Sequence, residues 1–292
     1  MELNKQVKAD MMLVFMTMCW GLSYVFMDIC MTEMGPLTIN AYRFTIAFVV
    51  ACIFCYRYMV RVSIETVKYA IIIGTISAFS YGFITLGVRY TSLSNAGFLG
   101  GLGVVFVPII GSILKKSLPE KRFIVVVLMA LVGIGLLTLN ENLEFAIGDI
   151  YCIMAALCYS FQLLTIETAV RKRGVNAFQM GILMLGVTAI IFLLASQIVE
   201  NPTIPQTPKV WSAMLFLGIV CTGLGILANV VAQKYTSANH AGVIFTLEPV
   251  FAAFAAFFIA GEVLPARGYL GAAILMGGVI FMEYPNLVNR DK

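Results

Sequence analysis

YTSLSNAG (Tyr90 to Gly97) returns in the second half of the chain as YTSANHAG (Tyr235 to Gly242). The overlay extends outward from this pair. CWGLSYVFMD (Cys19 to Asp28) lies over CYSFQLLTIE (Cys158 to Glu167), setting Trp20 over Tyr159 and Asp28 over Glu167, and Leu118-Pro119 lies over Leu264-Pro265. The copies sit among apolar runs of about the length needed to cross a bilayer core as helix, roughly 20 residues at ~1.5 Å each. Ten such spans are expected: Ala9 to Met31, Leu37 to Tyr56, Val67 to Val88, Ser94 to Leu114, Phe123 to Leu139, Ile147 to Val170, Phe178 to Val199, Val210 to Ala232, Ala241 to Ile259 and Gly268 to Tyr284. The runs are continuous rather than alternating, which favours helices over barrel strands. Five spans per half is an odd number, so the second copy crosses the membrane upside down relative to the first. The expected fold is an all-α membrane protein of two inverted five-helix repeats, residues 1–140 and 141–292. Inverted halves are how many secondary transporters alternate access to a shared midplane site.

Composition supports the membrane reading. Of 292 residues, 61% are hydrophobic and 12% charged, whereas a soluble domain carries roughly a quarter charged residues. Too few charges exist to cover a water-facing surface. The first span is long for a signal core, lacks a clear small-residue cleavage site and is followed by nine like it, so it reads as a retained helix.

Charge placement tests the span list independently. With the N-terminus inside, the inner ends and loops hold Lys5, Lys8, Arg57, Arg61, Lys68, Lys115, Lys116, Lys121, Arg122, Arg171, Lys172, Arg173, Lys234, Arg290 and Lys292. The outer ones hold Arg89, Lys209 and Arg267. This bias predicts an N-in, C-in orientation. The net charge of +4 is therefore a topology signal, not a sign of a nucleic-acid partner. Cys19, Cys30, Cys52, Cys55, Cys152, Cys158 and Cys221 all fall within spans, where packing is the expected role; no metal site or cofactor is expected. Asn201 is followed by Pro202 and offers no glycosylation sequon, in keeping with a prokaryotic inner (plasma) membrane.

The sequence resembles the drug/metabolite transporter superfamily, in its EamA-type branch. The likeness rests on Trp20-Gly21-Leu22-Ser23-Tyr24, Pro36 with Arg43, Tyr90 through Ala96 toward Pro108, Gly148-Asp149, and the long stretch from Tyr235 to Glu262. It implies a carrier of small metabolites, most often an exporter. Two positions depart from the pattern. Asp28 stands where relatives often carry Lys, so no substrate charge preference transfers from relatives that carry the Lys, and Lys115-Lys116 are the first-half counterpart of Gly261-Glu262.

Ionisable groups within a bilayer are costly and persist where they face a cavity or a partner. Glu248 lies inside span nine before Pro249, which should free the carbonyls of Phe245 and Thr246 and kink the helix. Its carboxylate suits a cation or a proton, or else a fixed structural pairing. Arg43 is expected to pair with Asp28 or Glu33 near the outer gate, in preference to contacting substrate directly. Trp20 and Tyr24, spaced i, i+4, share one face of span one. Tyr159, the counterpart of Trp20, and Gln162 one turn along would line the opposite wall. Tyr81 and Asn229 are weaker additions. Such walls suit an amino acid or an amphiphilic cation, or are simply lipid-facing aromatics. Gly100, Gly101 and Gly103, with Pro108 beyond, should weaken span four, as Gly223 and Gly225 should span eight; such residues more often serve close helix packing, and otherwise, with Pro249, bending at a gate. His240, the single histidine, reads as a helix cap.

The expected function is a secondary transporter working by alternating access, with small-molecule substrate, lipid and possible proton partners and an open oligomeric state. A non-transporting membrane sensor or assembly subunit is the alternative. An intramembrane enzyme lacks a constellation: no HExxH, GxSxG or phosphate loop occurs.

Overall fold

Side chains are distributed the opposite way from a water-soluble protein. Ile198 is 82% exposed, Phe54 79% and Phe258 73%, while Thr17, Ser77, Thr85, Ser160, Thr188 and Arg43 are buried. An apolar outside around a partly polar inside is stable only against lipid. The computed structural model describes residues 2–116, 121–138, 146–245, 247–261 and 265–288. Leu118, Pro119, Thr246, Glu262, Leu264, Arg290, Lys292 and the expected repeat boundary at 140–141 lie outside the described residues.

The described residues form α1 (Glu2–Met31), α2 (Pro36–Cys55), α3 (Ile64–Tyr90), α4 (Leu93–Gly100), α5 (Gly103–Lys115), α6 (Lys121–Thr138), α7 (Ile147–Arg171), α8 (Ala177–Val199), α9 (Pro208–Leu215), α10 (Gly225–Ala232), α11 (Ala238–Phe245), α12 (Glu248–Ala255) and α13 (Ala266–Val288). Wide π-helical turns, Phe216–Leu224, join α9 to α10, and a second set, Ala256–Ala260, extends α12. Among the described residues there is no strand. Seven helical segments are long and apolar enough to cross a membrane: Lys5–Met31, Pro36–Tyr58, Ile64–Tyr90, Leu93–Leu114, Ile147–Val170, Ala177–Val199 and Pro208–Ala232. The other three expected spans coincide with α6, with α11 and α12, and with α13.

The repeated motif performs the same local task twice. Ser92 caps α4 by accepting the Asn95 N–H at 3.1 Å, and Ser237 caps the start of α11 by accepting the His240 N–H at 3.2 Å. A serine hydroxyl at this position satisfies a donor that the first helical turn leaves without a partner. Each capped helix then breaks at the corresponding place, α4 after Gly100 and α11 after Phe245. Glycines accompany the first break. At the second, Pro249 stands in the first turn of α12, where its missing N–H costs nothing. The kink expected at Glu248-Pro249 is thus a full interruption and restart.

Close backbone packing fixes the helix pairs around the site. A Cβ on Gly21 would lie 2.5 Å from Phe251 Cβ and 2.8 Å from Ala252 N, so α1 and α12 touch almost backbone to backbone. A Cβ on Gly148 would lie 2.5 Å from Tyr90 C, which holds α7 against the end of α3.

Two carboxylates tie the α1–α2 loop to the far half. Glu200 accepts from Leu37 N at 3.0 Å, Thr38 N at 2.9 Å and Thr38 Oγ1 at 2.7 Å, an anion on the N-terminus of α2. Glu200→Ala should lower stability by about 1–3 kcal/mol, read as a drop in denaturation midpoint in detergent. Glu33 accepts from Thr207 Oγ1 at 2.6 Å and from the Gln206 and Thr207 N–H groups. These bonds, led by the Thr207 hydroxyl, hold its carboxyl below the ordinary range. Its contribution is therefore present above the ordinary carboxylate range and fades as pH falls through the lowered value. A Glu33→Gln variant should lose that part of the acid sensitivity, measured as midpoint against pH.

Candidate functional site

A cavity of about 550 Å³ lies where the two broken helices meet α1, α3 and α7. That volume counts all the space between atoms, the open mouth included; the room for a water-sized centre is about 70 Å³, so the hollow as it stands is narrow. From the first half come Trp20, Ser23, Tyr24 and Met27 of α1, Arg43 of α2, Ser80, Tyr81 and Ile84 of α3, and Gly100; from the second come Ala155, Ala156 and Tyr159 of α7, and Glu248 of α12. Both halves therefore build one hollow.

Glu248 opens α12, and the phenol of Tyr24 donates to its Oε1 at 2.8 Å. The bond depends on close packing. Gly21 and Tyr24 lie one turn apart on α1, facing Phe251 and Glu248 one turn apart on α12. Gly97 fits against Ala252, a Cβ there reaching to 2.7 Å, and a Cβ on Gly100 would stand 2.9 Å from the Tyr24 hydroxyl. Gly100→Ala should accordingly push the phenol off Glu248 and weaken ligand binding several-fold, checked by titration of the purified protein.

Trp20, Tyr159 and Phe245 form an aromatic floor. Ring centroids stand 6.2 Å apart for Trp20–Tyr159, 5.1 Å for Trp20–Phe245 and 5.9 Å for Tyr159–Phe245. The indole N–H of Trp20, a donor with no acceptor capacity, is satisfied at 2.7 Å by the Cys221 carbonyl within the π-helical turns. A Cβ on Gly225 would come within 2.6 Å of that nitrogen, so the glycine leaves room for the ring. Along α1 the cavity-lining Ser23, Tyr24 and Met27 all follow Trp20, so the floor lies between the hollow and the N-terminal end of α1. Farther toward that end, His240 Nε2 stands 3.2 Å from Asp10 Oδ1, joining α11 to α1.

Several sequence expectations need correction. Arg43 does not pair with Asp28 or Glu33. Asp28 is exposed, whereas Arg43 is 1% exposed and points inward. Positions 27 and 28 are about 100° apart around the helix; the Met27 side meets Arg43, so Asp28 faces away. Gln162 is buried but does not line the cavity. Asn229 is likewise absent from the lining; it donates to the Tyr159 hydroxyl at 3.4 Å and accepts from Gln233 Nε2 at 2.9 Å, steadying the floor from behind. Gly101 abuts Pro249, a Cβ there reaching to 2.9 Å of its Cγ, while Gly103 has ordinary clearance and Pro108 sits inside α5. Ser23, Met27 and Ser80 join the lining unannounced, and Phe245 backs it through its ring contacts with Trp20 and Tyr159; the capped repeat, read as an ungapped alignment past Gly97, would have set Phe245 opposite Gly100. Among the described residues no group of His, Cys, Asp and Glu is placed to hold a metal, and all seven cysteines are free thiols.

Long apolar helices surround a charged, aromatic-walled hollow, the arrangement of a multi-pass membrane protein. The profile of the EamA-like transporter family matches residues 7–139 and again 146–284. The chain belongs to that family and is a multi-pass membrane protein. It is 28% identical over 281 residues to an uncharacterized transporter of Archaeoglobus fulgidus, covering 96% of this chain and 87% of the relative. It is 25% identical over 289 residues to the uncharacterized transporter YoaV of Bacillus subtilis, covering 95% and 97%. A crystal structure superposes with a TM-score of 0.76 over 98% of this chain and 99% of the other, at 16% identity, a likeness of fold.

Proposed function

We propose that the chain is a secondary transporter that exports a small metabolite, an amino acid or an amphiphilic cation, from a prokaryotic cell across its inner membrane. Ten crossings form two inverted five-helix units, residues 1–140 and 141–292, with both termini inside, and the units alternately open the hollow between them. The observation that carries this reading is that the two halves share one cavity, with Trp20 and Tyr159 as related walls.

Helix pairing supports the two-fold relation. α2 packs on α8 and α6 on α13, pairs that the exchange of halves maps onto themselves. The contact of α3 with α7 has its counterpart in that of α1 with α9 and α10; the contacts of α4 and α5 with α7 match those of α11 and α12 with α1. The double family match supports it as well. Glu248 is the site for proton coupling: its carboxylate takes a proton in one state and faces the substrate in the other. In this scheme the aromatic floor closes the cytoplasmic path.

The test is counterflow in proteoliposomes across a panel of amino acids and amphiphilic cations. Exchange of at least one class is expected. Absence of flux across the whole panel would contradict the reading.

A further inference from the structure

Arg43 is the least expected group in the molecule. A guanidinium stays charged at any physiological pH, and a charge at membrane depth needs a counter-charge or water. Arg43 is 1% exposed and has no acidic partner among the described residues. Its Nε donates to Thr222 Oγ1 at 2.8 Å, and one terminal nitrogen meets the weak acceptor Met27 Sδ at 3.5 Å. The Tyr81 and Phe44 rings stand 5.1 and 5.8 Å from its central carbon. Five N–H donors project from a guanidinium, so most of its donor capacity is unspent, and the side chain lines the cavity.

Thr222, Tyr81 and Phe44 hold the head group in place. Such an oriented fork with free donors matches a carboxylate, which accepts two parallel N–H bonds. Glu248 lines the same hollow, and no ion pair joins the two charges. A cavity with a fixed cation and a fixed acid held apart is complementary to a ligand carrying both signs.

We propose that Arg43 is the carboxylate-recognising residue of the cavity, and that with Glu248 and the aromatic walls it selects a zwitterionic, carboxylate-bearing substrate over an amphiphilic cation. The inference rests on the transport reading in taking this cavity as the substrate site, and it decides between the two substrate classes that reading leaves. A ligand with positive charge alone satisfies Glu248 but leaves Arg43 without a partner and adds like charge to the same hollow. A zwitterion neutralises both.

The experiment uses the purified full chain and matched probes: phenylalanine and leucine, their decarboxylated amines phenethylamine and isoamylamine, and tetraphenylphosphonium. Binding is read as thermal stabilisation, which rises with ligand by mass action, and flux as counterflow in proteoliposomes. Wild type should bind at least one amino acid roughly 10-fold or more tighter than its amine, the scale of one charge-assisted hydrogen-bonded contact. Arg43→Gln should bring that ratio close to one, and Arg43→Lys should restore part of it. The wild-type probe comparison stands without any variant, should Arg43→Gln fail to fold. Equal or tighter binding of the amines or tetraphenylphosphonium, no binding of either amino acid, or a preference unchanged in folded Arg43→Gln would overturn the proposal. Amine-only flux would sink the Arg43 assignment and leave transport standing; the expected binding preference without flux of any probe would do the reverse.

Discussion

Glu248→Gln should leave the chain folded while lowering flux roughly 10- to 100-fold, the loss expected when one hydrogen-bonded charge is removed from a buried site. The amide keeps the volume of the acid and still offers an oxygen to the Tyr24 phenol, so the α1–α12 contact retains its geometry. What disappears is the negative charge. Tyr24→Phe makes the complementary change, removing the bond at 2.8 Å and keeping the carboxylate, and should have the smaller effect on flux. Counterflow rates with monodispersity on gel filtration check both. Unchanged flux in folded Glu248→Gln would mean that the acid serves only to pin the two helices.

Gly21→Val is expected to have the largest effect on the fold. The new side chain has no space to enter, since its first carbon would already stand 2.5 Å from Phe251 Cβ and 2.9 Å from that residue's backbone carbonyl carbon. Backbone cannot rotate aside as a side-chain tip can, so the helices must separate. Overpacking of this kind costs about 1–3 kcal/mol, occasionally more. The damage reaches the site, because separating α1 from α12 draws Tyr24 away from Glu248. A lowered denaturation midpoint with loss of ligand binding is the expected result. Gly21→Ala should produce a milder version of both, and a stable, fully binding Gly21→Val protein would refute the packing account.

Much of this was legible because apolar run length and short motifs are local. The Tyr-Thr-Ser motif marked two related places in the chain, and the structure adds that both serines cap a helix there. The aromatic walls followed from the i, i+4 spacing of Trp20 and Tyr24 and from the overlay of Tyr159. What escaped depends on facing and on backbone acceptors. Asp28 looked like a partner for Arg43 by depth, yet one residue along a helix turns a side chain about 100°, and only Met27 faces inward. The acceptor for Trp20 is a carbonyl on the distant Cys221, which no side-chain pattern advertises. Glu200, which caps α2 from the end of α8, was hidden for a related reason: its partners are mostly backbone N–H groups far along the chain. Gln162 followed the repeat logic correctly into a buried position, but three residues beyond Tyr159 the α7 surface faces packing helices and not the hollow.

The most direct measurement is the reactivity of a single cysteine at Ser23, which lines the cavity and bonds only its own helix, at the Trp20 carbonyl. With the native cysteines replaced, Ser23→Cys would be probed by a membrane-impermeant thiol reagent in vesicles of each orientation, with and without a substrate gradient. Labelling from both faces, with the favoured face reversing as the gradient reverses, is the predicted result. Labelling confined to one face under every condition, or from neither, would contradict a hollow that two opposed halves open in turn.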